Sequence, residues 1–357
     1  MKHRWVSRYV GHVRTWTALA LALALAAAAP TVATGRAESS ARIASAEDRA
    51  VVVYSGRTQN LLEPILNRFA EETGIDIQVR YGDTTDLALL IAEEGDRSPA
   101  DVFVSQSPGA VGYLDSNGLL GTLPDEILEL VPDQFHAADG SWVGFSGRKR
   151  VLVYNPSITS ADELPASVLD LVDPEWSGRI GVAPSNASFQ DFVTAMRVEL
   201  GDDATTAWLE GIADNDAFTF ANNAAIVQAI GRGEIDVGLV NHYYVYQALA
   251  EDPEFAGRNH EFAPDDIGSL VIVTGATMLA GADHVDEAQE LIAFLLSGEA
   301  QRYFSDETFE YPLAAGVEPA AVLPDVDLSL ASDTDLDLLG GDLESTREMI
   351  RDAGLAG

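Results

Sequence analysis

Apolar positions early in the chain fall into two alternating periods. Ala50-Val51-Val52-Val53-Tyr54 is a continuous run of buried-strand composition, and residues 55–60 form a polar loop after it. Leu62, Ile65, Leu66 and Phe69 then recur at helical spacing, and Thr73-Gly74 marks the end of that helix. Ile75, Ile77 and Val79 alternate with Asp76, Gln78 and Arg80, the period of a half-buried strand. Residues 81–84 lead into an amphipathic helix at 87–94, and residues 99–104 read as a third strand. Strand, helix, strand, helix, strand in this order predicts an α/β fold with right-handed crossovers and a parallel sheet. Each of these strands runs into a polar loop, at 55–60, 81–84 and 105–107.

Further on, residues 142–154 read as two extended pieces around Ser146-Gly147-Arg148-Lys149-Arg150, a basic triplet that serves equally well as a charge cluster on a turn. Residues 174–178 form a turn before a strand at 179–183. Pro184-Ser185-Asn186-Ala187-Ser188 leads into a helix beginning near Phe189. Such a Ser/Asn-rich start presents free amides at the positive end of the helix dipole and can hold an anion; it is equally an ordinary N-cap. Asn222-Asn223 opens another helix, through Ile226, Val227 and Ile230. Residues 269–279 are extended, 288–304 read as one long amphipathic helix, 322–341 are rich in Asp and Leu without period, and 343–353 form a last helix.

The stretch from Ile235 to Ala250 carries the candidate chemistry. Residues 235–240 have strand composition and the residues after Tyr244 suit a helix, so Asn241, Tyr243 and Tyr244 fall at the carboxyl end of a strand, where open α/β sheets bind ligands. Within a strand, adjacent tyrosines point to opposite faces; in a first helical turn both phenols can face one cleft. Two phenols at one point suit a hard, highly charged cation, which can strip protons from groups whose free pKa is about 10. A tyrosine pair taken alone is more often half-buried packing.

Composition narrows the setting. At 357 residues the chain has room for two domains, and a hydrophobic content of 47% excludes a disordered chain. The absence of cysteine removes disulfides, thiolate metal sites, thiol nucleophiles and lipid attachment through an N-terminal cysteine. Lys2, Arg4, Arg8 and Arg14 precede an apolar run at 18–29, then Pro30 and small residues, the layout of an export signal spanning 1–37 and cleaved after Ala37 or Ala33. Fifty-seven acidic against 21 basic residues give a formal charge of −36. Removal of a signal with five basic and no acidic residues deepens it to 16 against 57, or −41. So acidic a surface argues against nucleic acid and anionic lipid as partners. A soluble, lipid-free exported protein is placed in a periplasm. The six histidines show no metal-ligand spacing, and neither a nucleophile elbow nor a phosphate loop is present, so the reading is not an enzyme.

Seven motifs together resemble the periplasmic ferric-ion-binding proteins of ATP-driven iron importers, within the type 2 solute-binding-protein fold. They are Val53-Tyr54-Ser55-Gly56, Phe69-x-x-Glu72-Thr73-Gly74-Ile75, Pro99-Ala100-Asp101-Val102-Phe103, Ser146-Gly147-Arg148, Trp176-x-Gly178-x-Ile180-Gly181, Asn241-x-Tyr243-Tyr244 and Glu310-Tyr311-Pro312-Leu313. The resemblance implies two lobes joined by hinge strands near 148–153 and 269–275 and closing on Fe(III). Lobe 1 would take 48–148 plus about 275–325, and lobe 2 would take 149–274 plus about 326–357. It further implies Tyr243 and Tyr244 as iron ligands, an anion-holding segment at Asn186-Ala187-Ser188 with Asn223 and Asn241 as polar partners, a monomer, and an inner-membrane ABC permease as recipient.

The departures from the family pattern bear on the ligand set. Thr58 stands where some members carry a His ligand, Gln106 where they carry a Glu, and Phe189 where others carry a third tyrosine. Coordination would then be completed by carbonate or phosphate, by water, or by a further residue such as Tyr81, or the iron would arrive chelated. Arg57 beside Thr58 offers a planar fork for carboxylate or carbonate, and Arg148 is a further candidate. The alternative keeps the fold and loads it with a metal-free organic anion such as a phosphonate or carboxylate, held by Arg57, Asn186, Ser188 and Asn223.

Overall fold

The computed structural model describes residues 49–324, 326 and 343–355; the expected export signal at 1–37 and most of the 322–341 tail lie outside the described residues. The three early strands form where alternation placed them: β1 (Ala50–Ser55), β2 (Asp76–Tyr81) and β3 (Val102–Ser105), with β1 paired in parallel to both others. Between them lie α1 (Gln59–Thr73) and α2 (Thr84–Glu94). Helix α1 stops at Gly74, which adopts φ 72°, a conformation open to glycine at little steric expense. Helix α2 starts three residues ahead of its apolar stripe because the Asp83 carboxylate accepts the Thr85 and Asp86 amides. Helices α3 (Pro108–Ser116) and α4 (Asp125–Leu128) follow.

The two extended pieces expected near the basic triplet are one strand, β4 (Val143–Tyr154), with a register slip between Gly144 and Ser146. Next come β5 (Ile180–Val182), α5 (Ala187–Leu200), α6 (Asp202–Asp214), β6 (Phe218–Thr219), α7 (Asn223–Arg232), β7 (Val237–Asn241), α8 (Tyr243–Glu251), β8 (Arg258–His260) and β9 (Val271–Met278). Strand β4 pairs antiparallel with β9 from Val143 to Lys149 and with β7 from Arg150 to Tyr154, so it belongs to two half-sheets. The sheet runs β2-β1-β3-β9-β4-β7-β5-β6, with β8 and the short β10 (Tyr311–Pro312) also paired to β4. This strand-sharing is the connectivity of a two-lobed α/β protein.

The long helix expected at 288–304 is two, α9 (Val285–Leu295) and α10 (Gly298–Asp306). Ser297 makes the break: its hydroxyl accepts the Ala300 amide and starts a new helix. The last helix, α11 (Leu343–Asp352), lies on α5, where the Thr346 hydroxyl is 2.8 Å from that of Thr194 and accepts from Arg197 at 3.0 Å. Among the described residues, no helix is long and apolar enough to cross a membrane.

One apolar cluster runs through both half-sheets and includes Val53, Phe69, Phe103, Phe145, Trp176 and Phe192. A smaller one, with Val151, Val153, Ile226, Ile230, Val240 and Val245, backs the junction of β7 and α8. Each fully buried aliphatic or aromatic side chain contributes about 1.5–3 kcal/mol, so that junction rests on a firm floor. Gly56, just past β1, is pressed against the start of α2. A methyl group there would meet Thr84 Oγ1 at 1.9 Å and Thr84 Cα at 2.9 Å. Gly56→Ala is therefore expected to destabilise by about 1–3 kcal/mol, read as a lowered urea midpoint with unchanged slope.

Candidate functional site

His242 is already in helical conformation, at φ −55° and ψ −38°, so Tyr243 and Tyr244 occupy the first turn of α8 rather than the end of β7. That placement defeats strand alternation. The two rings stack with centroids 4.2 Å apart and planes at 27°. Tyr243 is fully buried, and its hydroxyl, although electrostatically coupled to Tyr244 and Arg57, makes no hydrogen bond of good geometry. Tyr244 is half-buried and lines a cleft of about 790 Å3. Burial, reinforced by Tyr243, pushes the Tyr244 phenol well above its ordinary value. A buried polar group without a partner costs roughly 1–3 kcal/mol, so a cation that takes the Tyr243 oxygen as a ligand recovers that cost. His242 is turned into the packing. Its Nδ1 accepts the Lys149 amide at 3.2 Å, its ring stacks on Tyr311 at 4.8 Å, and burial lowers its pKa to about 3.

The basic triplet lies on β4, where alternation divides it. Lys149 faces one way and pairs with Glu261 at 2.7 Å. Arg148 and Arg150 share the other face and are almost completely buried. Arg148 donates to the Gln106 carbonyl and, at 3.1 Å, to the Val273 carbonyl. Arg150 donates to Asn241 Oδ1 at 3.1 Å and to Ser188 Oγ at 3.4 Å. Both guanidinium groups keep two buried nitrogens without an acceptor. Burial pulls both down, Arg150 to about 9.

Arg57 differs from the expectation of a free fork. It is ion-paired to the buried Glu310, which also accepts the Ser146 hydroxyl, and it lies 5.7 Å from the centroid of the Tyr243 ring. Burial works against its charge, but Glu310 and the two phenols reverse this and hold it above its ordinary value. Arg57 thus supports the tyrosines from behind instead of lining the cleft.

The remaining candidates divide between wall and backing. Thr58, Gln106 and Asn186 line the cleft together with Tyr244. Ala187, Ser188, Asn223 and Asn241 are buried. Ser188 Oγ donates to Asn186 Oδ1 at 2.6 Å, and Asn223 Nδ2 donates to Ser188 Oγ at 3.3 Å and Asn186 Oδ1 at 3.5 Å. The segment at the start of α5 is therefore one polar cluster resting on Arg150. Tyr81 does not line the cleft; burial pushes its phenol up to about 12, and its hydroxyl has no partner. Phe189 is core, 6.3 Å from Phe192 between centroids. Among the described residues, no cluster of three or more His, Asp or Glu is arranged to hold a metal.

Sequence reasoning missed Glu310 as a partner, Arg150, and the pair Gln190-Asp191. Thr85 Oγ1 is 3.3 Å from Gln190 Oε1, joining α2 to α5. The Asp191 carboxyl, one oxygen of which has no partner, is held by Ser107 and the Gly109 backbone at the start of α3. The pattern did contain a signal, since polar residues at 190 and 191 interrupt an apolar helix face. Burial is the largest influence on Asp191 and raises its pKa from 3.8 to about 7, against Ser107, Arg148, Gly109 and Arg150, which lower it. A carboxyl raised on folding stabilises fully below its unfolded value and loses that contribution as pH rises from about 4 through about 7. Wild type is expected to lose stability over that window relative to Asp191→Asn, as thermal melts at stepped pH would show.

Known proteins share this arrangement of strands. Residues 97–337 match the family described as bacterial extracellular solute-binding protein. Over 277 residues the chain is 33% identical to the Fe(3+)-binding periplasmic protein of Serratia marcescens, covering 76% of this chain and 81% of that one. The crystal structure of iron-bound HitA from Pseudomonas aeruginosa superposes with a TM-score of 0.82 at 35% identity, over 86% of this chain and 100% of that one. The Trichodesmium protein IdiA (FutA), in complex with iron and citrate ligands, gives a TM-score of 0.72 at 26% identity, over 86% and 100% of the two chains. A family match across well over half of the chain, supported by relatives that align along most of their own length, makes this protein a member of the bacterial extracellular solute-binding proteins.

Proposed function

We propose that this protein is exported to the periplasm, captures Fe(III) together with an oxyanion, and delivers the iron to an inner-membrane ABC permease. Binding of a solute rather than catalysis is the role of its family. Tyr243 and Tyr244 serve as ligands, ionising as the cation binds. The polar cluster Asn186-Ala187-Ser188, with Asn223 and Asn241 behind it, seats the anion, and Arg150 and Arg148 offer it N–H groups that have no other acceptor among the described residues. Thr58 and Gln106 face the same cleft as neutral oxygen donors. The two lobes meet along this cleft, with 48–148 plus about 275–325 in one and 149–274 plus about 326–357 in the other, and the protein acts as a monomer.

The observation that carries this reading is the stacked phenol pair with an unpartnered hydroxyl, beside two guanidinium groups that each keep buried nitrogens without a hydrogen-bond partner among the described residues. Two phenolates offset two of the three charges of Fe(III). The remaining charge and that of the buried arginines call for carbonate, phosphate or a comparable anion.

Titration of iron-stripped protein with ferric ion, with and without bicarbonate or phosphate, should develop a visible phenolate-to-metal absorption band whose strength depends on the anion. A protein that shows no band, but melts higher with phosphonates or carboxylates in the absence of metal, would instead be a carrier of organic anions.

A further inference from the structure

Among the described residues, Phe309 is one of two other than glycine that hold a positive φ, at 59°. It follows α10, at a place where chains often leave a helix on a left-handed glycine. A bulky aromatic residue enters this conformation only when its surroundings over-determine it. The chain is fixed on both sides of it: the Thr308 hydroxyl and the Glu310 amide both donate to the Phe304 carbonyl, at 2.7 and 2.9 Å. Glycine would make the same turn at less steric expense, so the ring is the part of Phe309 that the turn itself does not need.

That ring lies against the helix that carries the tyrosines. Its centroid is 6.0 Å from that of Tyr246, which sits one turn beyond Tyr243 on α8. Tyr246 in turn meets the His242 ring edge to face at 6.1 Å, and His242 stacks on Tyr311 at 4.8 Å. The Thr308 carbonyl accepts from Gln247 Nε2 at 3.5 Å. Between these contacts, the Glu310 carboxylate reaches Arg57, whose guanidinium lies over the Tyr243 ring. Residues 308–311 thus grip α8 by one carbonyl and two rings, and hold the charge that faces its first turn by a carboxylate. The grip joins different half-sheets: Tyr311 pairs with Gly147, on the part of β4 that also pairs with β9, whereas α8 continues from β7.

Resting on the ferric reading above, we propose that Phe309 is a positioning residue for the iron site: its ring, against Tyr246, fixes how the first turn of α8 stands relative to Arg57, and so where the two phenol oxygens are presented. Phe309 does not line the cleft and acts through α8. The strained backbone puts a ring on the helix and a carboxylate on the guanidinium facing it from adjacent positions in the chain.

The test compares iron-stripped wild type, Phe309→Gly and Phe309→Tyr. Phe309→Gly relieves the backbone and removes a half-buried ring, effects that oppose each other, so the metal-free variant should unfold in urea at a midpoint close to that of wild type. Titrated with ferric ion plus bicarbonate, it should bind about tenfold or more weakly, the loss met when a group that orients a metal ligand is removed, with the visible band shifted in wavelength. Phe309→Tyr keeps the ring and should keep the wild-type affinity and band. Wild-type affinity and an unmoved band in Phe309→Gly would overturn the proposal, as would a Phe309→Tyr that weakens as much as Phe309→Gly. A Phe309→Gly that unfolds at clearly lower urea concentration while its band stays in place would make the ring ordinary packing and overturn it too. A wild type that gives no visible band removes the ferric reading and the proposal with it; failure of the proposal alone leaves the wild-type band in place.

Discussion

The double variant Tyr243→Phe/Tyr244→Phe should lose the ferric absorption band altogether and bind the ion too weakly to titrate. Groups that merely support a metal ligand cost roughly 10–100-fold in affinity when removed, so deleting both ligand oxygens should exceed that range. The fold should survive, because the stacked rings and the apolar cluster behind α8 are unchanged. Tyr243→Phe alone separates ligand from scaffold more sharply. The hydroxyl it removes is buried without a hydrogen bond, so the metal-free variant should be as stable as wild type or more so, while iron affinity falls. If the double variant keeps the band, the two phenols are not the ligands.

Glu310→Ala should be the most destabilising single change at the site, by about 3–5 kcal/mol, since it leaves the buried Arg57 guanidinium without its counter-ion. Glu310 and Arg57 are both 2% exposed or less, so solvent does little to screen the loss. The Ser146 hydroxyl loses its acceptor in the same step. Urea unfolding of the metal-free variant measures the effect. Arg57→Met/Glu310→Leu, which removes both charges and keeps apolar volume, should regain most of it. A deficit below about 1 kcal/mol in Glu310→Ala would show that Arg57 finds another partner.

Much of the fold could be read from local pattern. Period-2 alternation at Ile75, Ile77 and Val79 and the apolar run at 50–54 became neighbouring parallel strands, and the tyrosine pair fell at a strand-to-helix turn as the residues around it implied. The failures were long-range or capping effects. Nothing near Arg57 signals a carboxylate 253 residues away, so it read as a free fork. Arg148-Lys149-Arg150 read equally well as functional or as a charge cluster on a turn, because charged residues are rarely buried, whereas the strand carries two of the three inward. The break at Ser297 was overridden by apolar residues on both sides that kept helical spacing, although a serine before Gly298-Glu299 is itself a start signal.

Strand β4 passes from β9 to β7 between Lys149 and Arg150, which leaves Arg148 anchored on carbonyls of one half-sheet and Arg150 on Ser188 and Asn241 of the other. Two positive charges two residues apart on one strand are therefore tied to different half-sheets, in surroundings that screen them poorly. A single negative charge brought up to this point of the strand would act on both half-sheets at once.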